Sequence, residues 1–439
     1  MQRNTFLKAS IAGAVVLATG TMAACSKSDE GGAAKTGASA SSGSTTLHVT
    51  MANHPWTTAV RAKIPEFEKQ SGLKVVVEQL AEDQLTDTYK VKLNAGSKDM
   101  DVMMYRPLQE GRLFAQSGFL ADLSSDVNQD KHWNWSDFLP ATVSATTYKG
   151  KAVGVPLVTE TQVIYYRKDL LQKAGLEPPK TLDELRAAAK KISEDNPGVA
   201  GFVARSGVSV GVTQFSSFLY SFGGDWFDKN DKSLIATPEA KAAYAYYGGM
   251  LRDYGPKPLN TSMSWPESAA VFAQGKAAFW ADASSLYKQV ADPKNSQVSD
   301  QVGYAAFPAG PAGAHAYSAT SWAIGINNAS DNKANAWKFI AWATSPEMTL
   351  EMQKAGNPCT RTSVWQNTDG TAGFPAPLVA AMNANAKGAV GYDRPVVVKV
   401  GQAREIVGKP FVVAMTGGDS NAAADQASAE FQKEILDAK

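Results

Sequence analysis

The sequence predicts an α/β protein built from two lobes, and three observations support this. Strand-like runs alternate with helical patterns over residues 47–105, which is typical of a parallel, buried sheet. About 400 residues remain once the N-terminal segment is set aside, which is more than one hydrophobic core usually holds. Between residues 148 and 192, two strand-like runs follow each other with no helix between them, so we expect the chain to pass there from one sheet to another.

Residues 1–24 have the features of a secretory signal peptide, so we expect export to the periplasm or cell surface. Arg3 and Lys8 precede an apolar run over residues 9–17, shorter than the ~20 residues that a membrane-spanning helix needs. Residues 22–25 read Met-Ala-Ala-Cys and resemble a lipobox with Met in place of the usual Leu, which implies lipidation of Cys25 and a membrane anchor. The alternative is an ordinary Ala-x-Ala cleavage site with an incidental Cys25.

Residues 25–46 are predicted to form a flexible linker that begins at the lipidated cysteine. Beyond Cys25 they are mainly Ser, Gly, Ala, Thr and Lys with no aromatic residue, and this composition cannot bury enough apolar surface to offset the chain entropy. If Cys25 is lipidated, the second cysteine of the chain, Cys359, has no disulfide partner. The folded region must then rely on its core.

The composition argues against several functional classes. The formal net charge is +1 and no basic cluster appears, which disfavours nucleic acid as a partner. The four histidines stand at no metal-ligand spacing, and no nucleophile, phosphate-binding or dinucleotide motif is present. We therefore expect no metal, no cofactor and no enzymatic activity. A secreted carbohydrate-active enzyme stays open because the sequence does not give the separation of its carboxylates, and so does an adhesin or scaffold without a cleft.

The ends of the first predicted strands supply ligand-binding candidates, because ligands of α/β sheets bind at the carboxyl ends of the strands. The strands at residues 47–52 and 101–105 select five residues: Asn53, His54, Trp56, Tyr105 and Arg106. All of these except Asn53 have a structural alternative. The aromatic rings could belong to the core, the histidine could bond within its loop, and the arginine could stay in solvent.

Further candidates come from the second half of the chain. Alternation along a strand over residues 278–282 places Trp280 and Asp282 on one face, and the loop that follows contains Ser285. Asp282 and Ser285 are predicted contacts, whereas Trp280 could equally be core. Trp226 follows a glycine turn and is a further candidate, although an aromatic residue there often caps a core.

The prediction that the chain passes from one sheet to another rests on residues 148–192. A strand at residues 152–155 is followed by Pro156, a Thr-Glu-Thr break and a second strand at residues 162–166. A short amphipathic turn then ends at Gly175, and Thr181 with Glu184 forms a capping box that begins a helix to residue 192.

The same stretch resembles the bacterial extracellular solute-binding proteins of ABC importers, the family of the maltose-binding protein and other sugar-binding lipoproteins. The shared pattern is a strand ending in Gly-Val-Pro, an acidic residue, a Tyr-Tyr strand, Lys-Asp-Leu, Ala-Gly and Pro-Pro-Lys-Thr. The resemblance implies a periplasmic-binding-protein-like fold whose lobes are joined by a hinge of several crossings. It places the N-terminal lobe at residues 47–157 and 308–360, and the C-terminal lobe at residues 158–307 and 361–439.

The resemblance also implies ligand contacts. Glu160 matches an acidic position that contacts sugar hydroxyls in relatives, the alternative being a carboxylate on the hinge surface. Trp322 stands where an aromatic ring commonly stacks on sugar, and Arg361 lies in an element like Pro-Ala-Arg-x-Ser, which predicts a polar clamp on the ligand. Arg106 and Arg404 stand where relatives place an aromatic ring.

The implied function is capture of a small carbohydrate, a sugar or polyol, between the lobes, with delivery to the transmembrane subunits of an ABC permease. The protein is expected to be a lipid-anchored monomer in which Asn53, Glu160, Trp322 and Arg361 hold one ligand molecule. An acidic sugar derivative or a glycerol-phosphate-type ligand remains the alternative, because the guanidinium groups of arginines pair well with carboxylates and phosphates.

Overall fold

The computed structural model describes residues 44–438, apart from the side chain of Asp83. The predicted signal peptide, the lipidation site Cys25 and nearly all of the predicted linker lie outside these residues. The last predicted linker residue, Thr46, is the first residue of a strand. None of the helices within residues 44–438 combines the length and apolar character needed to cross a bilayer.

Within the described residues the strands are β1 Thr46–Ala52, β2 Lys74–Leu80, β3 Val102–Tyr105, β4 Thr147–Tyr148, β5 Lys151–Ala152, β6 Val155–Arg167, β7 Ala200–Val203, β8 Ala277–Ala283, β9 Val302–Ala305 and β10 Ser318–Ile326. The helices of the first half are α1 Pro55–Ser71, α2 Glu82–Asn94, α3 Arg112–Gln116, α4 Asp126–Gln129, α5 Pro140–Ala145, α6 Lys168–Ala174, α7 Leu182–Asp195 and α8 Gly211–Ser221.

The later helices are α9 Pro238–Tyr254, α10 Trp265–Ala273, α11 Tyr287–Ala291, α12 Lys333–Ala343, α13 Pro346–Lys354, α14 Thr362–Gln366, α15 Thr368–Thr371, α16 Ala376–Asn385, α17 Val400–Met415 and α18 Ser420–Phe431. Two π-helical turns, Pro107–Gly111 and Gln432–Leu436, adjoin α3 and α18.

The first half of the main sheet has the predicted α/β arrangement. Strand β1 pairs in parallel with β2 and β3, and helices α1 and α2 connect these three strands. Strand β10 returns from much later in the chain and lies antiparallel between β3 and β6. This order brings the carboxyl ends of β1, β2 and β3 to one edge, beside the amino-terminal half of β10.

Strand β6 joins the two halves of the main sheet as one continuous element. Its first part pairs with β10, and its later part, from Gln162 onward, pairs with β8 and β9. The predicted break into two strands is therefore wrong. Thr159, Glu160 and Thr161 pair with residues of β10, which supplies hydrogen-bonding partners for the backbone where the sequence indicated a break. Pro156 is accommodated because it stands next to the beginning of the strand.

Separate hydrophobic cores show that the two parts of the sheet belong to two lobes. One core packs around the first part and includes Leu47, Val158 and Ile324. Two further cores cover the faces of the second part: Val163 belongs to one and its neighbour Ile164 to the other, as expected for a strand buried on both faces. The lobe boundaries given above stay predictions.

The local signals after β6 are confirmed. Gly175 ends α6 in the left-handed conformation at φ 66°, which glycine adopts without steric cost. The Thr181 hydroxyl accepts a hydrogen bond from the backbone N–H of Glu184 at 3.1 Å, and the Glu184 carboxylate accepts one from the Thr181 N–H. This capping box begins α7 where the sequence predicted it.

Arg361 lies in the core of the first lobe, which corrects its prediction as a ligand clamp. The side chain is completely buried, and its Nε and Nη2 atoms donate to the carbonyl oxygen of Thr344 at 2.9 and 2.8 Å. Nη1 donates to Asp137 Oδ2 at 3.2 Å, and the guanidinium carbon lies 4.1 Å from the centroid of the Phe138 ring. The guanidinium therefore connects the segments around residues 137 and 344.

We predict that Arg361→Met lowers the free energy of unfolding by about 3 kcal/mol, because it removes the charged partner of the partly buried Asp137 carboxylate and two of the donors to the buried carbonyl of Thr344. Urea denaturation measures this change. The matched control is Arg112→Met at an exposed arginine, which should change stability by less than about 0.5 kcal/mol. Equal stability of the two variants would contradict a structural role for Arg361.

Candidate functional site

A polar cavity lies where the two lobes meet beside β6 and β10. Its empty volume is about 720 Å³, part of it open to solvent. Residues from both lobes line it: Asn53, His54, Pro55, Glu82, Arg106, Leu108, Glu160, Arg205, Thr213, Trp265, Leu286, Tyr317, Ala319, Thr320, Ser321, Trp322, Asp393 and Arg394. Five of the sequence candidates are brought together here, namely Asn53, His54, Arg106, Glu160 and Trp322.

A bulge in β10 shapes one wall of the cavity. The pairing with β6 shifts register between Thr320 and Trp322, and again between Trp322 and Ala323, and such bulges redirect side chains. Trp322 is 4% exposed, and its ring centroid lies 5.6 Å from that of His54. The guanidinium carbon of Arg106 lies over the Trp322 ring, 5.7 Å from its centroid. Much of the indole surface is therefore covered by the protein itself.

His54 serves as the N-cap of α1, and this role fixes its tautomer. Its Nδ1 atom accepts a hydrogen bond from the backbone N–H of Trp56 at 3.1 Å. Burial lowers the pKa of His54 from 6.5 to about 4, against an opposing effect of Glu82, so the ring is neutral at pH 7. Its proton is then on Nε2, which leaves one N–H donor at the cavity wall.

Arg106 is held by two carboxylates of its own lobe. Its Nη1 atom donates to Glu82 Oε2 at 2.9 Å, and Nε donates to Glu110 Oε1 at 3.0 Å. Nη2 also donates to Glu110 and, at 2.8 Å, to the hydroxyl of Thr86. The guanidinium is therefore fixed in position and its charge is compensated before any ligand binds.

Arg205 of the second lobe is paired in the same way. Its Nε and Nη2 atoms donate to Asp282 at 3.1 and 2.6 Å, and the Nε2 atom of Gln214 donates to the same carboxylate at 2.8 Å. Asp282 is fully buried and does not line the cavity. Its prediction as a ligand contact is thus corrected, since it positions Arg205, a lining residue that sequence reasoning missed.

Glu160 presents a carboxylate on the β6 wall. The Ser285 hydroxyl donates to its Oε1 atom at 2.6 Å, so Ser285 contacts the cavity through Glu160 rather than by lining it. Burial raises the pKa of Glu160 despite the hydrogen bond from Ser285. Within residues 44–438, Glu160 forms no direct ion pair, and its carboxylate remains an acceptor for donors inside the cavity.

Asp393 and Arg394 form a third charge pair, in the loop before α17. Arg394 Nε donates to Asp393 Oδ1 at 2.7 Å, and Nη2 donates to Thr213 Oγ1 at 3.2 Å. Burial acts to raise the pKa of Asp393, but neighbouring Arg394 and Arg404 outweigh it and lower that pKa to about 2. Asp393 therefore stays charged across the physiological range.

The remaining aromatic candidates lie in the cores rather than at this cavity, and these predictions are corrected. Trp56 and Tyr105 are 2% and 1% exposed in the first lobe, where the Tyr105 hydroxyl donates to the carbonyl of Val153 at 3.3 Å. In the second lobe, Trp226 Nε1 donates to the Tyr220 hydroxyl at 2.8 Å. Trp280 stacks on a neighbouring tyrosine at 4.5 Å between ring centroids. Large rings at strand ends fill the core here because hydrophobic burial dominates their placement.

Arg404 also lies outside the cavity lining. It is 6% exposed, and its Nε atom donates to the carbonyl of Ser209 at 2.9 Å while Nη1 donates to Gln109 Oε1 at 2.8 Å. The expectation that it contacts the ligand is corrected, since its hydrogen-bonding groups are engaged by the protein.

Two of the lining residues that sequence reasoning missed follow the rule that ligands bind at the carboxyl ends of strands. Glu82 follows β2 and Arg205 follows β7, so applying the strand-end rule to these strands would have selected both. Asp393, Arg394 and Tyr317 lie in loops or before a strand, where the sequence carries no comparable signal. No group of three metal-ligating side chains occurs among residues 44–438, apart from any involving the undescribed side chain of Asp83.

The family model for bacterial extracellular solute-binding proteins matches residues 53–349, more than half of the chain. The chain belongs to this family. The mannitol-binding protein of Pseudomonas aeruginosa is 32% identical over 240 residues, which cover 54% of this chain and 52% of that protein. The match thus spans about half the length of that relative.

Solved structures of the family show the same two-lobed fold. A solute-binding protein from Agrobacterium radiobacter in complex with ribitol is 26% identical, with a TM-score of 0.80 over 89% of this chain and 98% of that one. A maltose-bound protein from T. maritima is 29% identical, with a TM-score of 0.78 over 88% of this chain and 99% of that one. The sequence-based prediction of family and fold is confirmed.

We predict that His54 makes stability depend on pH below 6.5. Because the pKa of His54 is lowered to about 4 in the folded state, the unfolded chain binds a proton between pH 6.5 and 4 that the folded chain does not. Stability is therefore lost as the pH falls through this window. His54→Asn keeps an N-cap acceptor without titrating, so it should lose about 2 kcal/mol less between pH 7 and 4.5.

Urea denaturation at the two pH values measures this difference. The control is Gln129→Asn at an exposed neutral side chain, which should keep the pH dependence of the parent protein. If His54→Asn shows the same loss of stability as the parent, the assignment of a buried neutral imidazole is wrong.

Proposed function

We propose that this protein captures a neutral polyol or small sugar in the cavity between its lobes and delivers it to an ABC permease. The observation that carries the proposal is the pairing of the three guanidinium groups at the cavity. Arg106, Arg205 and Arg394 are each bonded to a carboxylate of the protein. An acidic ligand would have to compete with these carboxylates for donors that are already engaged, so the proposal favours a neutral ligand over a sugar acid or phosphate.

Three polar groups at the cavity have hydrogen-bonding capacity left for the hydroxyls of a ligand. The Glu160 carboxylate can accept hydrogen bonds from a pair of hydroxyls, and Thr320 Oγ1 is buried without a hydrogen-bond partner in the described part of the chain. His54 Nε2 adds a donor. A ligand rich in hydroxyl groups both donates and accepts, so it can satisfy all three kinds of group at once.

The burial of the Trp322 ring favours a linear polyol over a pyranose ring as the ligand. Stacking on sugar needs an open aromatic face, whereas Trp322 is 4% exposed beside His54 and Arg106. One relative is a mannitol-binding protein and another was solved with ribitol, which is consistent with a linear polyol as the ligand. A third was solved with maltose, so a cyclic sugar is included in the binding experiment below.

The proposal extends to location and partners. Family membership and the N-terminal pattern around Cys25 support an exported, lipid-anchored protein that acts as a monomer and passes its ligand to the transmembrane subunits of a permease. We propose capture without chemical conversion, because each carboxylate that lines the cavity already accepts a hydrogen bond from a protein donor.

We predict that calorimetry at pH 7 detects binding of a neutral polyol, with D-mannitol and ribitol compared with maltose, glucuronate and glycerol 3-phosphate. The affinity for the polyol should change less than about twofold between low and high salt, since screening acts mainly on charged pairs. Preferential binding of glucuronate or glycerol 3-phosphate, with affinity that falls steeply in salt, would refute a neutral ligand. Turnover of any of these compounds would refute capture without conversion.

We also predict that Glu160→Gln weakens polyol binding by roughly 10- to 100-fold, because hydrogen bonds to a charged acceptor contribute about 1.5–3 kcal/mol. An acidic ligand would respond in the opposite direction and bind this variant more tightly. Glu177→Gln, at an exposed glutamate of the second lobe, is the matched control and should bind like the parent. Unchanged polyol affinity in Glu160→Gln would remove Glu160 from the site.

A further inference from the structure

A glutamine of the first lobe bonds directly to two arginines of the second lobe. Gln109 lies in the π-helical turn after β3, and its Oε1 atom accepts from Arg394 Nη1 at 2.6 Å and from Arg404 Nη1 at 2.8 Å. Both donors are guanidinium groups, so the atom facing them must be the amide oxygen rather than the nitrogen. We refer to Gln109, Arg394 and Arg404 as the latch.

The two sides of the latch are each anchored within their own lobe. On the first-lobe side, the backbone N–H of Gln109 donates to the carbonyl of Arg106 at 3.0 Å. On the second-lobe side, both arginines donate to Thr213 Oγ1 of α8, at 3.2 and 3.3 Å. The contact between Gln109 and the arginines therefore exists only while the lobes are close together.

We propose that Gln109 sets the equilibrium between open and closed lobes, with its neutral amide oxygen making the closed state stable enough to reach but not stable enough to persist without ligand. Hydrogen bonds to charged donors are stronger than neutral ones, so the latch favours closure. Its single acceptor carries no charge, which limits this contribution.

The charges around the latch explain why an amide rather than a carboxylate suits this position. Arg394 is paired with Asp393, whereas Arg404 donates to neutral oxygen atoms of Gln109, Ser209 and Thr213. Burial, with a further contribution from the nearby charge of Arg394, lowers the pKa of Arg404. A carboxylate at position 109 would face two guanidinium groups, one of them without a carboxylate partner among residues 44–438, and would hold the lobes together.

The latch is also connected to the cavity. Arg394 lines the cavity and donates to Gln109, so a ligand that orders Arg394 also orders one half of the latch. This coupling rests on the proposed function. The effect of position 109 on lobe closure does not, because it concerns the protein without ligand.

Small-angle X-ray scattering of the ligand-free full chain tests the proposal. The radii of gyration can be compared directly because the N-terminal segment is the same in all variants. Because the proposal has the ligand-free parent mainly open, we expect Gln109→Glu to give a smaller radius of gyration than the parent, and Gln109→Leu to give a radius no smaller than that of the parent. The matched control is Gln129→Glu, which adds the same charge at an exposed site of the first lobe and should match the parent. Gln109→Asn, one methylene shorter, replaces Gln109→Leu if the latter does not fold.

Equal radii for the parent and Gln109→Glu would overturn the proposal, and so would a larger radius for Gln109→Glu or a smaller one for Gln109→Leu. A second measurement uses D-mannitol as the probe. Loss of the latch should weaken its binding roughly tenfold, because ligand binding must then also supply the free energy of closure. A change in radius without D-mannitol binding would support the latch while counting against the proposed ligand, so the two proposals can fail separately.

Discussion

The continuous hydrogen-bonding of β6 is the constraint on which the rest of the structure depends. The strand pairs with β10 in one lobe and with β8 and β9 in the other, so every described element of the cavity is placed relative to one uninterrupted backbone. Glu160 lies on this strand close to the change of partner. The bulge in β10 then places Trp322 on the adjacent wall. The site is thus built at the junction of two sheets rather than by mobile loops alone.

Charge pairing is the second organising feature, and it extends behind the cavity. Asp282 and Glu110 do not line the cavity, yet they fix the positions of the lining groups Arg205 and Arg106. Buried ions are costly to leave unpaired, so each guanidinium that the sequence places at the cleft requires a carboxylate from the protein. This explains why so many acidic residues near the site are engaged with side chains of the protein rather than directed toward the cavity.

The sequence predicted the architecture better than the details of the site, for physical reasons. The capping box at Thr181 depends on residues three positions apart, and the placement of Asn53 and His54 depends on the end of a single strand. Arg361 shows the limit of reasoning from residues that are close together in the sequence. Whether its guanidinium reaches a cleft or a core depends on Asp137, more than two hundred positions earlier in the chain. Aromatic residues such as Trp280 suit a sugar platform and a core equally well, and only tertiary packing decides between them.

The cancellation of charge at the cavity has a consequence for the rate of capture. Three lining guanidinium groups face three lining carboxylates, those of Glu82, Glu160 and Asp393, so the local field at the entrance is weak. Long-range electrostatic steering, which accelerates association of charged partners and disappears in salt, has little to act upon here. Encounter is then governed by unbiased diffusion and by the fraction of time the entrance is open. Such a protein can work at a similar speed in dilute and in saline surroundings.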